Sequence, residues 1–160
     1  MSQLIRTNLW FDKEAEEAAE FYCSIFPNSR VREISRYTEA GPGEPGSVMV
    51  VEFELDGQIF VGINGGPQFP FTEAVSLEIR CADQAEVDYY WDKLTEGGRE
   101  VQCGWLKDRY GLSWQVVPKG MDDVFASDDP EAARRAMEAM FGMRKLDIEA
   151  LRAAAAGAPA

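Results

Sequence analysis

The feature that most constrains the fold is a pattern of strands and helices that occurs twice along the chain. A strand, an amphipathic helix and two or three further strands are predicted over residues 4–66, and the same order returns over 74–118. A shift of 68 residues places the apolar helix positions of the first copy on those of the second: Ala19, Tyr22, Cys23 and Phe26 on Val87, Tyr90, Trp91 and Leu94. Self-similarity of this kind indicates two copies of one unit. We therefore predict an α+β domain over residues 1–120, built from two β-α-β-β(-β) modules.

In the first module, residues 4–11 alternate as a strand, with Leu9 and Phe11 on one face and Asn8 and Trp10 on the other. We predict Asp12 as the N-cap of a helix that ends at Pro27-Asn28. The remaining strands of this module are predicted over residues 30–38, 47–55 and 58–64. Asp56-Gly57 joins the last two of these strands and is a strong hairpin signal.

The second module begins with residues 74–81, in which Ser76, Glu78 and Arg80 alternate with apolar residues. Asp83 and Glu86 have the spacing of a capping box, and Gly97-Gly98 ends the helix that they begin. Strands are predicted near 101–106 and 112–117, around a turn over 107–111.

Residues 121–160 differ from both modules and predict a helical extension. Asp129-Pro130 begins a third helix. Its apolar side is formed by Ala133, Ala136, Met137, Met140 and Phe141. Packing on the outside of the sheet is the favoured interpretation, with a partner-binding helix as the alternative. The final segment, 153–160, is expected to fray.

Composition then limits the chemistry. The chain has no histidine, which excludes Ser-His-Asp triads, Cys-His dyads and His-ligated metals. A net charge of −12 argues against binding to nucleic acid or to anionic membranes. Three cysteines without a CxxC spacing predict neither disulfides nor a zinc site, and no segment has the length of a membrane span or a signal peptide. We expect a cytoplasmic protein.

Three stretches carry a family resemblance: LWFDKEAEEAAEFYCSIFPNS, VMVVEFELDGQIFVGINGGPQF and GWLKDRYGLSWQVVP. They resemble the PhnB-like branch of the vicinal-oxygen-chelate superfamily, which includes glyoxalase I, extradiol dioxygenases and bleomycin-resistance proteins. This branch often carries the label of a 3-demethylubiquinone 3-methyltransferase domain. The resemblance implies paired βαβββ modules whose curved sheets form a cleft, assembled as a homodimer.

In this superfamily a metal, when present, binds to side chains on the first and last strands of each module. The 68-residue shift gives Asn8 and Ser76 as the first-strand pair, and aligning the module ends gives Asn64 and Gln115. None of the four is charged, so they form a poor site for a divalent ion. We therefore expect no metal and no cofactor. If the register were wrong by one or two residues, Thr7 or Glu78 would join the candidate ligands. Even then the set would contain only one carboxylate.

These residues give the functional hypothesis of a polar and aromatic pocket that binds a small molecule. Its predicted lining is Asn8, Trp10, Asn64, Ser76, Glu78, Arg80 and Gln115. Arg80 is a candidate anion anchor, although a simple ion pair with Glu78 is the favoured alternative. The rival hypothesis is an enzyme: a 3-demethylubiquinone 3-methyltransferase-like protein, or a metal-dependent lyase, isomerase or dioxygenase. Methyl transfer from S-adenosylmethionine would need a Gly-rich strand–helix turn, which the sequence lacks.

The remaining candidates are aromatic residues and thiols. Trp114 is predicted in the core. Phe69 and Phe71 lie in the Pro/Gly-rich segment between the modules, where core or interface packing is favoured over closure on a ligand. Cys23 and Cys81 are predicted to be buried hydrophobes, and Cys103 is left unassigned.

Overall fold

The computed structural model describes residues 4–126 and 128–158. The chain divides into two compact units, Met1–Phe71 and Thr72–Ala160, which we call the N-terminal and C-terminal units. The fold is mixed α+β, with one four-stranded sheet in each unit. Each sheet is built by the predicted β-α-β-β-β order, so the sequence repeat is confirmed as a structural repeat.

The N-terminal unit consists of five elements. They are β1 (Thr7–Phe11), α1 (Ala15–Ile25), β2 (Arg30–Arg36), β3 (Val48–Leu55) and β4 (Gln58–Asn64). The strand order is β1-β4-β3-β2, with β1 and β4 parallel and the other pairs antiparallel. Asp56 and Gly57 both have positive φ, 45° and 78°, which confirms the tight hairpin between β3 and β4.

The core of this unit lies between α1 and one face of the sheet. Apolar residues recur along α1 with helical spacing, and its buried members Ala15, Ala18 and Tyr22 are fully covered. Tyr22 stacks on Phe53 at 6.3 Å between ring centroids, and Phe53 stacks on Phe60 at 5.6 Å.

The prediction of Asp12 as the helix N-cap is wrong. Helix α1 begins at Ala15 after Glu14, whose side chain makes no capping hydrogen bond. The Ala15 N–H donates instead to Oδ1 of Asn64, at the end of β4, over 2.9 Å. A residue distant in sequence therefore takes the role that a local cap normally has.

The C-terminal unit repeats the order with shorter strands. Its elements are β5 (Ser76–Cys81), α2 (Gln84–Thr95), β6 (Arg99–Glu100), β7 (Trp105–Lys107) and β8 (Ser113–Pro118), in the order β5-β8-β7-β6. Asp83 caps α2 by accepting from the Glu86 N–H over 2.9 Å, as predicted. Trp114 is 3 % exposed, so its predicted place in the core is confirmed.

The prediction of a continuous strand over 101–106 is wrong. Cys103 and Gly104 both have positive φ, 57° and 81°, so the backbone leaves the sheet between β6 and β7. Their N–H groups donate to the carbonyls of Met143 and Arg144, over 2.9 and 2.7 Å. Carbonyls of the helical extension thus accept the hydrogen bonds that these two N–H groups would donate to a neighbouring strand in a longer hairpin.

The extension adds three helices to the C-terminal unit: α3 (Met121–Phe125), α4 (Pro130–Phe141) and α5 (Ile148–Ala155). Val124, Ala136, Ile148 and Leu151 form their common core. Helix α4 therefore packs on α3 and α5 rather than on the sheet, and it leaves Met137 and Phe141 46 % and 61 % exposed. Helix α5 also corrects the predicted frayed end, since it continues to Ala155; Pro159 and Ala160 lie outside the described residues.

Candidate functional site

Each sheet has one face packed on the helix of its own unit and an opposite face, which we call the open face. Because directly paired residues point to the same side of a sheet, the strand register decides which residues share the open face. The seven predicted pocket residues divide between the units: Asn8, Trp10 and Asn64 belong to the N-terminal unit, and Ser76, Glu78, Arg80 and Gln115 to the C-terminal unit.

Asn8 and Trp10 lie on the open face of the N-terminal sheet, as predicted. Asn8 is exposed, and its Nδ2 donates to the Arg6 carbonyl over 3.3 Å. Trp10 is half-buried; its Nε1 donates to the Gly66 carbonyl over 2.9 Å, and the Phe69 ring meets it edge-on at 5.0 Å. Gly65 approaches the indole so closely that a side chain at this position would overlap it. The segment after β4 therefore fixes the orientation of Trp10.

The placement of Asn64 on the open face is wrong. Asn64 lies on the helix-facing side and is 8 % exposed. Its Oδ1 accepts from the Ala15 N–H, and its Nδ2 donates to the Val48 carbonyl over 3.1 Å. Both ends of the amide are thus used to join α1, β3 and β4.

The strand register explains this error. Trp10 pairs with Ile63 in the N-terminal sheet, and the corresponding Glu78 pairs with Gln115 in the C-terminal sheet. The counterpart of Gln115 is therefore Ile63 and not Asn64. Aligning the module ends displaced this correspondence by one residue, and a shift of one residue reverses the face.

The four residues of the C-terminal unit share its open face, as their alternation predicts. Gln115 Nε2 donates to Ser76 Oγ over 2.9 Å. Arg80 contacts Asp122 of α3 at 2.5 Å and Glu78 at 3.8 Å. The hydrogen bond to Asp122 and the charge of that carboxylate raise the pKa of Arg80, with Glu78 a smaller cause. Arg80 is thus engaged by the extension in this structure.

Sequence reasoning missed Ser113, which lies between Ser76 and Lys107 in one row across the same open face. Ser113 is 1 % exposed, and its hydroxyl has no hydrogen-bond partner among the described residues. Its alternation with Gln115 placed it on this face, but no sequence signal shows that a buried hydroxyl stays unpaired. Next to it, Lys107 contacts Glu73 at 2.7 Å, and this hydrogen bond is the largest cause of the lowered pKa of Glu73.

The open face of the N-terminal sheet contains a small cavity of about 150 Å³. It is lined by Arg6, Glu33, Ser35, Val50, Glu52 and Val61. Glu52 is held between two cations, Arg6 at 2.7 Å and Arg32 at 3.4 Å. These contacts balance its charge and make Glu52 a weak candidate for acid–base catalysis.

Comparison with known proteins identifies the family. The model of the 3-demethylubiquinone-9 3-methyltransferase family matches residues 3–117. The chain belongs to this family. The PhnB protein from Bacillus cereus, which carries the name of the same methyltransferase, is 40 % identical, with a TM-score of 0.67 over 72 % of this chain and 99 % of that one. No curated protein matches the chain.

More distant solved structures share the fold. A protein from Pseudomonas aeruginosa is 18 % identical, with a TM-score of 0.60 over 73 % of this chain and 98 % of that one. The fosfomycin resistance protein FosX from Listeria monocytogenes, complexed with Mn(II) and sulfate, is 15 % identical, with a TM-score of 0.53 over 78 % of this chain and 96 % of that one. The family match and the PhnB protein place the chain in the PhnB-like branch of the vicinal-oxygen-chelate superfamily, and the more distant structures share its glyoxalase/bleomycin-resistance fold.

The superfamily raises the question of a metal, and the residues of this PhnB-like chain do not fit one. The Asn64 amide is consumed by backbone hydrogen bonds, its open-face counterpart Ile63 has no donor atom, and Ser76 and Gln115 are neutral and bonded to each other. Over residues 4–126 and 128–158, no three Cys, Asp or Glu side chains come together as metal ligands. Divalent ions prefer charged oxygen or nitrogen donors, which this set does not supply.

The thiols of this PhnB-like chain are poorly suited to nucleophilic chemistry. Burial, followed by Glu86 and Asp83, raises the pKa of Cys81 to about 12. Burial and then Glu20 raise the pKa of Cys23. Both therefore stay protonated at neutral pH, and the thiolate is the reactive form. The Cys103 Sγ donates to the Met140 carbonyl at 3.6 Å and so contacts the extension.

Among the helices in the described part of the chain, none has the length and apolar character needed to cross a bilayer.

Proposed function

We propose that this PhnB-like protein binds a small polar organic molecule on the open face of its C-terminal sheet, and that binding needs no metal ion. Ser76, Ser113 and Gln115 are the proposed polar contacts, with Glu78 and Arg80 at the edge of the site. Asn8 and Trp10, on the open face of the N-terminal sheet, are proposed as ligand contacts of that unit by itself. The superfamily domain is proposed to span residues 1–120, with 121–160 as its helical extension.

The unpaired hydroxyl of Ser113 is the observation that carries the proposal. A buried polar group nearly always has a partner, because an unpaired one costs about 1–3 kcal/mol. Ser113 has none among the described residues. Its row contains a second hydroxyl on Ser76 and the ammonium group of Lys107. Because Ser113 is 1 % exposed, a polar ligand group supplies the missing partner only when the side chains that cover this row move aside.

The neutral donors support the metal-free part of the proposal. A hydroxyl and a carboxamide that already bond to each other can also bond a ligand, but they do not compensate the dehydration of a divalent ion. Metal analysis of protein purified without chelators tests this directly. We expect far less than one equivalent of Mn, Fe, Ni or Zn per chain. The proposal would be contradicted by one equivalent of metal per chain, if a chelator removes both this metal and the binding of the ligand.

A thermal-shift screen with quinones, aromatic metabolites and S-adenosylmethionine tests ligand binding, because a ligand of the native state raises Tm. Ser113→Ala is the decisive variant. Removal of an unpaired hydroxyl should leave the unliganded protein as stable as before or more stable, and yet reduce the ligand-induced shift. Ser24→Ala, on the exposed side of α1, is the matched control. An unchanged ligand response in Ser113→Ala would place binding elsewhere.

The name of the family favours methyl transfer as a second candidate function. The glycines Gly65 and Gly66 follow β4, but the next element is β5 and not a helix, so this segment does not have the strand–turn–helix form that binds nucleotide cofactors. In the same screen, a shift with S-adenosylmethionine and methylation of a catechol-like quinol would support the enzyme. A shift with quinones alone would favour binding without transfer.

Location and assembly complete the proposal. Free thiols at Cys23, Cys81 and Cys103 favour a reducing compartment, and we propose the cytoplasm. A homodimer is proposed from the superfamily resemblance. Light scattering after size exclusion should give twice the chain mass of 17.9 kDa. A mass of one chain at micromolar concentration would contradict the dimer.

A further inference from the structure

A second cavity in the N-terminal unit, larger than the one on the open face, lies at the ends of two parallel strands. We call it the terminal cavity. Its volume is about 380 Å³, and its lining includes Asp12, Lys13, Glu16, Tyr37, Asn64 and Gly65. Asp12 follows β1 and Gly65 follows β4, so the carboxyl ends of the two parallel strands open into it. Crevices at such strand ends are recurrent ligand sites in sheet proteins.

The neutral polar groups around the terminal cavity are engaged within the protein. The Tyr37 hydroxyl donates to the Asn64 carbonyl over 2.6 Å, and both ends of the Asn64 amide are bonded. The Gly65 N–H donates to the Phe11 carbonyl, and the Gly65 carbonyl accepts from Gln68. These hydrogen bonds stabilise the walls of the cavity. Because the neutral polar groups are already bonded, a charged ligand would be recognised by other groups.

Three charged side chains of the wall have no such partners. The carboxylates of Asp12 and Glu16 and the ammonium group of Lys13 make no hydrogen bond or ion pair with any described residue. Two negative groups and one positive group give the wall a net negative charge. The whole chain, at −12, adds a field of the same sign.

We propose that the terminal cavity is a second ligand site, which takes a small organic molecule carrying a protonated amine. The carboxylates of Asp12 and Glu16 attract the ammonium group, while Tyr37, Pro42 and Val48 give apolar surface for the rest of the molecule. The volume is near the lower end of the roughly 300–1,000 Å³ typical of ligand pockets, which fits a metabolite of modest size. This site is independent of the one proposed on the open face.

Benzylamine is a suitable probe, with benzyl alcohol and benzoate as uncharged and anionic molecules of similar shape. Titration followed by ¹H–¹⁵N correlation NMR locates binding through the amides of Gly43, Gly65 and Gly66, which line the cavity. We expect benzylamine to shift these amides with a Kd of about millimolar, and to shift those of Ser113 and Gln115 little. Benzyl alcohol and benzoate should bind at least about fivefold more weakly, the factor that one unit charge about 4 Å away produces in water.

Four variants of one segment test the sign of the charge that the ligand meets: two should weaken binding, one should strengthen it and one is a control. Asp12→Asn and Glu16→Gln should each weaken benzylamine binding about fivefold, and Lys13→Gln should strengthen it by a similar factor because it removes a like charge. Glu20→Gln makes the same charge change one turn further along α1, outside the cavity, and should alter the Kd by less than about twofold. Added salt should reduce the differences between variants.

Three results would overturn the proposal. The first is an absence of localised shifts with benzylamine at tens of millimolar. The second is equal or tighter binding of benzoate, with loss of affinity in Lys13→Gln, which would indicate an anion site. The third is an equal effect of Glu16→Gln and Glu20→Gln, which would indicate general attraction to an acidic protein.

Discussion

The two units share one order of elements, but their second and third strands differ greatly. In the N-terminal unit, β2 and β3 are seven and eight residues long and pair over most of their length. In the C-terminal unit, the corresponding β6 and β7 have two and three residues. The backbone between them turns away at Cys103 and Gly104 and donates to carbonyls of the extension. The same module is thus completed by its own hairpin in one unit and by a neighbouring helical segment in the other.

This difference shows that the extension is part of the structure of its unit. Besides the backbone bonds, Gln84 of α2 donates to the Leu146 carbonyl over 2.9 Å and accepts from the Ile148 N–H over 3.1 Å. Residues beyond 117 lie outside the matched family segment, yet they satisfy backbone groups within it. Substitutions at the contact between the extension and the rest of the C-terminal unit should therefore lower the free energy of unfolding more than matched substitutions in the N-terminal hairpin.

The largest effect is expected at the turn before β8. Asp108 is 3 % exposed; its Oδ1 accepts from the N–H groups of Tyr110 and Leu112, and its Oδ2 from Trp114 Nε1. Asp108→Ala removes all three of these hydrogen bonds to a carboxylate, and we expect a loss of about 4 kcal/mol in the free energy of unfolding. Urea denaturation measures it. Asp56→Ala, in the exposed hairpin turn of the other unit, should cost no more than about 1 kcal/mol; equal losses would refute the contrast.

Gly104→Ala tests the contact with the extension. A Cβ on Gly104 would lie 2.8 Å from Leu146 Cδ1 and 3.0 Å from the Val116 carbonyl, in a backbone conformation that favours glycine. Steric overlap and the left-handed conformation together should cost about 3 kcal/mol. Gly57→Ala shares the positive φ but has open space around it, so about 1 kcal/mol is expected. If the two variants unfold at the same urea concentration, the extension does not restrain this segment.

The sequence predicted the parts of the fold that depend on near neighbours. The alternation of β5, the Asp56-Gly57 turn and the Asp83 cap each follow from residues within a few positions, and all three are confirmed. The predicted face of Asn64 was wrong because β4 is a central strand with apolar residues on both faces, so alternation could not decide on which face Asn64 lies. The break in the strand at Cys103 was not predicted because the carbonyl that accepts from the Cys103 N–H belongs to Met143, which lies far along the chain.

Asn64 and Gln115, predicted as equivalents, should now behave differently. Asn64→Ala removes the hydrogen bonds to the buried Ala15 N–H and to the half-buried Val48 carbonyl and should cost about 2 kcal/mol in the free energy of unfolding. Gln115→Ala removes one bond to Ser76 on the open face and should cost about 0.5 kcal/mol. Thermal unfolding of both variants checks the order. The reverse order would restore Asn64 as an open-face residue.

The smallest effect concerns pH and the ion pair between Lys145 of the extension and Asp88 of α2, at 2.8 Å. The hydrogen bond from Lys145 lowers the pKa of Asp88, and Asp88 raises the pKa of Lys145. A lowered carboxyl pKa contributes stability above its unfolded value, about 3.9, and loses it as pH falls through the folded value. The raised ammonium pKa contributes below about 10.4 and loses its share as pH rises through the folded value. Lys145→Gln should therefore cost about 0.5 kcal/mol near pH 7 and progressively less below pH 4, because the pair is solvent-exposed. Lys93 makes no ion pair with any residue in the described part of the chain, so Lys93→Gln removes a charge from α2 and should show no such pH dependence. Parallel pH profiles for the two variants would exclude a stabilising role of the pair between Lys145 and Asp88.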